Sequence, residues 1–183
     1  MAIFGSSRTE PGSQDWRDAE SAGNRIAGAG LAVVTGGYGG TMEAASRGAA
    51  RAGGRVIGVI ASELFSTRNG ANQHVTDLIE TKTLAERIGV LTELAHGTIV
   101  LPGSIGTAAE LVISWNINHI VRLSGGRRVP TVAVGPEWLQ LWEFLTNRVG
   151  ASGADVHHEA SATDAVEWLL EQPEIRCFSS PVI

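Results

Sequence analysis

Residues 98–110 have the sequence TIVLPGSIGTAAE, which joins a short apolar run to a glycine-containing turn and the start of a helix. The run at 98–101 predicts a buried strand, and the residues from Ile105 onward have helical spacing. Such a turn directs backbone N–H groups and the positive end of a helix dipole at one place, which favours an anion such as phosphate. Thr107 can add a hydroxyl and Glu110 lies one turn into the helix. The stretch therefore predicts a phosphate site with a carboxylate beside it.

Apolar runs alternate with helical patterns along the whole chain. The predicted strands are 2–5, 31–35, 56–60, 76–80, 98–101, 129–134 and 154–157. The predicted helices are 13–29, 39–52, 84–95, 105–123, 137–149 and 163–171. Strands without polar alternation are typical of a parallel sheet covered on both faces. The pattern predicts a single α/β domain over 1–183, with a doubly wound, mostly parallel sheet, helices on both faces and a peripheral tail at 173–183.

Composition narrows the class of protein. The chain has 183 residues, 43% of them hydrophobic, which is typical of one globular domain. The net charge of −5 argues against binding a nucleic acid polymer, and no apolar run is long enough for a membrane span. Cys177 is the one cysteine, and no basic leader precedes the first strand, so we expect a cytoplasmic protein.

Two further strand-to-helix junctions are expected at the same sheet edge, because ligands of open α/β sheets bind beyond the carboxyl ends of the strands. After the first strand, Ser6 and Ser7 either contact base or phosphate or simply form the turn. After the second strand, the glycines either line the ribose side of a ligand or allow close packing of helix and strand. These glycines are Gly36, Gly37 and Gly40.

Two polar features near these junctions remain open to two interpretations. Glu43 precedes Arg47 by one helical turn, which favours a structural ion pair, but Glu43 can also face the cleft and bind ribose hydroxyls. The polar segment 62–73 is interpreted as a loop or a mobile lid.

Four motifs together resemble the LOG family, whose members often carry the older label "putative lysine decarboxylase". The family pattern PGGxGTxxE is matched by PGSIGTAAE at 102–110, and GGxxGxMEAAxRGA is matched by GGYGGTMEAASRGA at 36–49. A first strand ending in GSS is matched at 5–7, and Arg87 opens the helix before the PGG strand at the matching spacing. The resemblance covers residues 2 to about 170.

The resemblance implies a Rossmann-like homodimer that needs no cofactor. Characterised members hydrolyse the N-glycosidic bond of nucleoside 5′-monophosphates, best known for cytokinin ribotides, to free base and ribose 5-phosphate. Arg87 and Glu110 match the family's catalytic pair. Without the resemblance, Glu110 could serve only the helix dipole, and Arg87 could be a solvated arginine paired with Glu86 or Glu93.

The phosphate loop departs from the family pattern at one position. Ser104 replaces the second glycine of PGG, and serine is strained there if a positive φ is required. This departure keeps a second hypothesis open, that of a non-catalytic nucleotide or molybdenum-cofactor carrier of the same fold. The residues expected to hold the phosphate are Gly103, Ser104, Gly106 and Thr107.

Two other kinds of chemistry are disfavoured. A pyridoxal enzyme needs a Schiff-base lysine, and Lys82, the one lysine of the chain, has no recognisable pyridoxal context. We expect no metal site, because His157 and His158 are adjacent in a predicted strand region and so point to opposite faces.

Overall fold

The computed structural model describes residues 1–65 and 70–179. The strands are β1 (Ala2–Phe4), β2 (Val33–Thr35), β3 (Val56–Ile60), β4 (Asp77–Glu80), β5 (Thr98–Val100), β6 (Thr131–Val134) and β7 (His157–Glu159). The helices are α1 (Gln14–Gly28), α2 (Thr41–Arg51), α3 (Leu84–Leu94), α4 (Ile105–Leu123), α5 (Glu137–Phe144), α6 (Ala162–Glu171) and α7 (Pro173–Ser179).

These seven strands form one sheet in the order β4-β3-β2-β1-β5-β6-β7, and each of its neighbouring pairs is parallel. The strand β1 lies near the centre, where Ala2 is paired with Val34 on one side and Thr98 on the other. The chain winds outward from β1 to β4 and then crosses back to β5. The predicted doubly wound α/β fold is therefore confirmed, with a fully parallel sheet.

Helices cover both faces of the sheet, and the side chains of β1 show how. Ile3 points into a core formed with α1, α2 and α6, whereas Ala2 and Phe4 point into a core formed with α3, α4 and α5. All three side chains are at most 2% exposed. Successive strand residues face opposite sides, so a strand buried on both faces has to be apolar throughout, as the sequence pattern indicates.

The last strand begins later than predicted. The sequence predicts a strand at 154–157, whereas β7 spans His157–Glu159. Asp155 is buried and its carboxylate pairs with Arg122 at 3.0 Å, so the chain turns inward through a short 3-10 helix at Gly153–Asp155 before it joins the sheet. Because a buried charge needs a partner, the ion pair of Asp155 with Arg122, and not the apolar pattern, determines where the strand begins.

The predicted helix at 137–149 changes geometry partway along. Its first part is α5, and Leu145–Val149 form a π-helical turn. Gly150 ends that turn with a φ of 85°, a left-handed conformation that glycine adopts at little cost.

The sequence predicts two segments at the periphery, the tail at 173–183 and the loop or lid at 62–73. Of the tail expected to be peripheral, residues 180–183 lie outside the described residues. The described part forms α7, and Ile175 in that helix is fully buried in the core beside α6. The prediction for 62–73 lies partly outside the described residues, which resume at Gly70. In the described part of this segment, the side-chain amide of Asn72 donates a hydrogen bond to the carbonyl of Tyr38 at 3.0 Å. This bond connects the segment to the glycine-rich junction that follows β2.

Candidate active site

The reversal of strand order between β1 and β5 brings the predicted junctions together. The Ser6 N–H donates to the Pro102 carbonyl at 3.2 Å, and the Ser6 carbonyl accepts from the Thr41 N–H at 2.9 Å. Ser6, which follows β1, thus contacts both the loop after β5 and the start of α2. This is the topological switch point, where open α/β sheets bind their ligands.

A cavity of about 190 Å³ opens at this point. Its wall includes seven of the residues singled out from the sequence: Ser7, Gly36, Arg87, Ser104, Gly106, Thr107 and Glu110. The sequence reasoning missed an apolar part of the wall, formed by Met42, Phe65, Leu84 and Ile88. Met42 both packs in a buried cluster and lines the cavity.

Glu110 is the buried acid of the cavity. It lies in the second turn of α4, and its side chain is 12% exposed. Burial raises its pKa from 4.5 to about 7, and the nearby charge of Arg87 opposes that rise. Glu110 Oε1 lies 3.7 Å from Arg87 Nη1. At neutral pH this carboxyl group can therefore either take up or release a proton.

Arg87 is held inside the protein and does not extend into solvent. It is 5% exposed; its Nε donates to the Val59 carbonyl at 2.8 Å and its Nη2 to the Gly36 carbonyl at 3.0 Å. Its guanidinium carbon also lies 5.6 Å from the centre of the Tyr38 ring. The interpretation of Arg87 as a solvated arginine is therefore wrong. The edge carrying Nε and Nη2, which could bind phosphate with two parallel hydrogen bonds, faces backbone carbonyls.

The glycine-rich junction at 36–43 provides the space that Arg87 occupies. A Cβ on Gly36 would lie 2.6 Å from the sulfur of Met42 and would overlap Nη2 of Arg87. Gly40 has a φ of 68°, and a Cβ there would lie 2.6 Å from the Ser7 carbonyl carbon. Close approach thus explains both glycines, and of the two only Gly36 lines the cavity.

Gly37 and Ser6 have structural roles: Gly37 allows close packing against Ile60, and Ser6 stabilises the turn after β1. Gly37 has a φ of 76°, and a Cβ there would lie 2.7 Å from a methyl group of Ile60. The Ser6 hydroxyl accepts from the Arg8 N–H at 3.0 Å, as expected for a serine that stabilises a turn. Neither residue lines the cavity, in contrast to Ser7.

The loop after β5 accommodates Ser104 without backbone strain. Ser104 is the N-cap of α4 with a φ of −108°, an extended conformation in which serine is unstrained. The Thr107 side chain folds over Gly103, where an added Cβ would lie 2.5 Å from that of Thr107. The first turn of a helix has N–H groups without intrahelical acceptors, and here that turn, with Gly106 exposed, borders the cavity.

Glu43 does not form the ion pair that its spacing favours. Arg47 turns instead to α1, where its Nε lies 3.5 Å from a carboxylate oxygen of Glu20. Glu43 lines a second cavity, of about 330 Å³, which shares Ser7 with the first. The cleft-facing interpretation of Glu43 is therefore the one that the geometry favours.

Two other kinds of feature do not occur in residues 1–65 and 70–179. No group of three or more His, Cys, Asp or Glu side chains there is arranged to hold a metal ion. No helix in those ranges combines the length and apolar character needed to cross a lipid bilayer.

Comparison with known proteins places this geometry in a family. The sequence profile of the SLOG cluster4 family matches residues 1–138. A cytokinin riboside 5′-monophosphate phosphoribohydrolase of Mycobacterium tuberculosis is 36% identical over 119 residues, which is 64% of this chain and 61% of that protein. The alignment with this relative thus spans about three fifths of its length.

Solved structures agree on the fold. The molybdenum cofactor binding protein of Rippkaea orientalis has a TM-score of 0.72 at 22% identity and covers 92% of both chains. The molybdenum cofactor carrier protein of Chlamydomonas reinhardtii has a TM-score of 0.66 at 25% identity and covers 93% of this chain and 97% of that one. Because the family profile covers most of the chain, and the LOG-type motifs lie within it, the chain belongs to the SLOG cluster4 family.

Proposed function

We propose that this protein hydrolyses the N-glycosidic bond of a nucleoside 5′-monophosphate and releases free base and ribose 5-phosphate. The observation that carries the proposal is Glu110, a buried carboxyl group with a pKa of about 7. It lies 3.7 Å from Arg87 in a cavity bordered by the N-terminus of α4. The phosphoribohydrolase relative supports the same reaction class.

The 5′-phosphate has a natural position at the start of α4. The N–H groups of the first helical turn and the hydroxyl of Thr107 or Ser104 donate to it, and the helix dipole adds favourable charge. A phosphate held there places the ribose beside Glu110, one turn further along the same helix. The apolar wall formed by Met42, Phe65, Leu84 and Ile88 then suits a planar base, including an N6-substituted adenine of the cytokinin type.

The reaction develops positive charge on the ribose as the bond between C1′ and the base nitrogen breaks. Ionised Glu110 stabilises that charge and takes a proton from the attacking water, while the bonding electron pair leaves with the base. The water oxygen ends on C1′, and the water proton ends on the base nitrogen. Arg87 keeps part of the Glu110 population ionised at neutral pH by lowering its pKa against the effect of burial.

Phosphate dependence tests the proposal. Matched pairs of nucleosides and their 5′-monophosphates, with isopentenyladenosine and its monophosphate among them, are incubated with the protein, and free base is quantified by chromatography. We expect base only from the monophosphates, because the nucleosides lack the group that the α4 terminus binds. Equal release of base from both members of a pair would contradict phosphate binding at the start of α4.

A carrier function is the alternative, and one observation favours it. The Chlamydomonas molybdenum cofactor carrier is 25% identical and matches nearly the whole fold. A carrier would bind its phosphorylated ligand stoichiometrically and release no base. The same incubation separates the two functions, because only the enzyme converts more than one equivalent of nucleotide.

We also expect a homodimer that forms through α4. This helix exposes a row of large apolar side chains, with Ile113 and Ile117 each 38%, Ile120 56% and Leu123 70% exposed. Positions 113, 117 and 120 fall on one helix face, and an apolar face of this kind indicates a partner surface. The family resemblance implies a homodimer, so we expect the partner at this face to be a second copy of the chain.

Sedimentation at micromolar concentration tests the dimer. The parent protein is expected to sediment as a dimer, and Ile120→Glu as a monomer, because a carboxylate would be buried in the interface. Leu78→Glu, at a residue of similar exposure (55%) on the edge strand β4, is the control and should remain dimeric. A monomeric parent protein would contradict the prediction.

The free cysteine is the feature that bears on the cellular location. Cys177 is an exposed free thiol, and such a thiol stays reduced in the cytoplasm. We therefore propose a cytoplasmic protein.

A further inference from the structure

The second cavity adjoins the first across α2 and the end of β1. Its volume is about 330 Å³, and its wall is formed by Ser7, Tyr38, Gly39, Glu43, Gly70, Ala71 and Asn72. Ser7 lines both cavities, and the consecutive residues Met42 and Glu43 line one cavity each. A ligand that fills the first cavity can therefore extend into the second.

The position of Glu43 is fixed by the way α2 begins. The Thr41 N–H donates to the Ser6 carbonyl at 2.9 Å, which attaches the start of the helix to the end of β1. Glu43 Oε2 lies over Gly39, 3.8 Å from where a Cβ on that glycine would be. Within residues 1–65 and 70–179, the Glu43 carboxylate has no hydrogen bond or ion pair, and Arg47 is paired elsewhere.

Other polar groups of the wall are engaged in holding the structure together. The Tyr38 hydroxyl accepts from the Ala61 N–H at 2.9 Å. The Asn72 amide nitrogen donates to the Tyr38 carbonyl at 3.0 Å, and its oxygen accepts from the His74 N–H at 3.1 Å. Among the described residues, Glu43 is thus a wall residue whose carboxylate remains available to a ligand.

The chemistry of a carboxylate defines what Glu43 can bind. An ionised carboxylate only accepts hydrogen bonds, so its partner has to present O–H or N–H donors. Its negative charge also repels phosphate, which directs the phosphate to the α4 terminus on the other side of the site.

We propose that Glu43 binds the uncharged, donor-bearing part of the nucleotide and so determines which nucleotides are accepted. The shared chemistry is a pair of neighbouring donors, either the vicinal hydroxyls of ribose or the N–H groups of the base. The inference rests on the proposed function, because it takes a nucleoside 5′-monophosphate as the ligand.

Calorimetric binding to Glu110→Gln protein, which holds ligand without turnover, tests the inference separately from catalysis. The probes are AMP, 2′-deoxy-AMP and ribose 5-phosphate. Adding Glu43→Ala is expected to weaken AMP binding about tenfold or more, because hydrogen bonds to a charged acceptor are lost. Adding Glu43→Gln, which preserves the side-chain shape, should weaken it in the same direction. Glu171→Ala, at an exposed residue of α6, makes the same charge change and should have no effect.

The three probes identify the donor. If Glu43 binds the ribose hydroxyls, Glu43→Ala also weakens the binding of ribose 5-phosphate. It then weakens the binding of 2′-deoxy-AMP, which keeps only the 3′-hydroxyl, less than that of AMP. If Glu43 binds the base, ribose 5-phosphate is unaffected and 2′-deoxy-AMP is weakened as much as AMP. Unchanged or tighter AMP binding in Glu43→Ala overturns the inference, as does failure of the parent to bind any probe. Failure of the proposed function would appear differently, as AMP that binds to protein with intact Glu110 but releases no base.

Discussion

Replacing Glu110 with glutamine is expected to lower the turnover of a nucleoside 5′-monophosphate by about 10²- to 10⁴-fold, the range associated with loss of a general acid–base group. Glutamine has nearly the same shape but can neither accept the water proton nor carry the charge that stabilises the ribose cation. Ligand binding should persist, because the phosphate is held by the start of α4. The measurement is the initial rate of base release, with calorimetric binding alongside. Glu93→Gln, at an exposed residue of α3, is the control.

The same substitution is expected to change stability with a defined sign. The pKa of Glu110 is about 7 in the folded protein against an ordinary value of 4.5, so the folded state loses stability relative to the unfolded state as pH rises through this interval. Between pH 5 and pH 8 the free energy of unfolding of the parent should therefore fall by up to about 3 kcal/mol through this group. Glu110→Gln should not show this fall, because glutamine does not ionise. Denaturant titrations at both pH values measure it. A variant with full turnover and an unchanged pH dependence of stability would contradict the role of Glu110.

Replacing Gly36 with alanine is expected to reduce turnover at least tenfold through Arg87, although Gly36 carries no reactive group. The new Cβ would overlap Arg87 Nη2, so the guanidinium has to leave the carbonyls of Gly36 and Val59. Glu110 then loses the neighbouring charge that lowers its pKa. The acid limb of the pH–rate profile, expected near pH 7 in the parent, should move to higher pH.

The pH profile separates this mechanism from general damage. A variant that is only destabilised would have a lower rate of base release at every pH, but the acid limb of its pH–rate profile would not shift. Gly89→Ala on α3, where an added Cβ has nothing within 4 Å, is the control and should keep both rate and profile. A Gly36→Ala protein with the parent's pH profile would show that Arg87 does not tune Glu110.

The parts of the fold and site that depend on local sequence could be predicted from the sequence. The apolar run at 98–101 and the turn after it predicted a strand, an anion loop and a helix, and α4 has the predicted bounds of 105–123. Alternation of such units predicted a doubly wound sheet because parallel strands need helical crossovers. The short tail helix α7 could not be predicted, because among its described side chains only Ile175 is buried, and one apolar residue does not make a helical pattern.

The environment of Arg87 could not be predicted, because its partners are distant in sequence. Its guanidinium donates to carbonyls 28 and 51 residues earlier in the chain, and main-chain carbonyls carry no sequence signal. Local spacing therefore suggests only a solvated arginine paired with Glu86 or Glu93. For the same reason, local spacing paired Arg47 with Glu43, whereas packing of α2 on α1 pairs it with Glu20.

The most direct test of N-glycosidic hydrolysis by this protein is the stoichiometry of products from one nucleoside 5′-monophosphate in excess over the protein. Chromatography quantifies free base and ribose 5-phosphate for the parent and for Glu110→Gln. We expect equal amounts of the two products, many equivalents per protein molecule, and near loss of both in Glu110→Gln. Nucleotide that is bound at one equivalent and recovered intact from the parent would contradict it and identify a carrier.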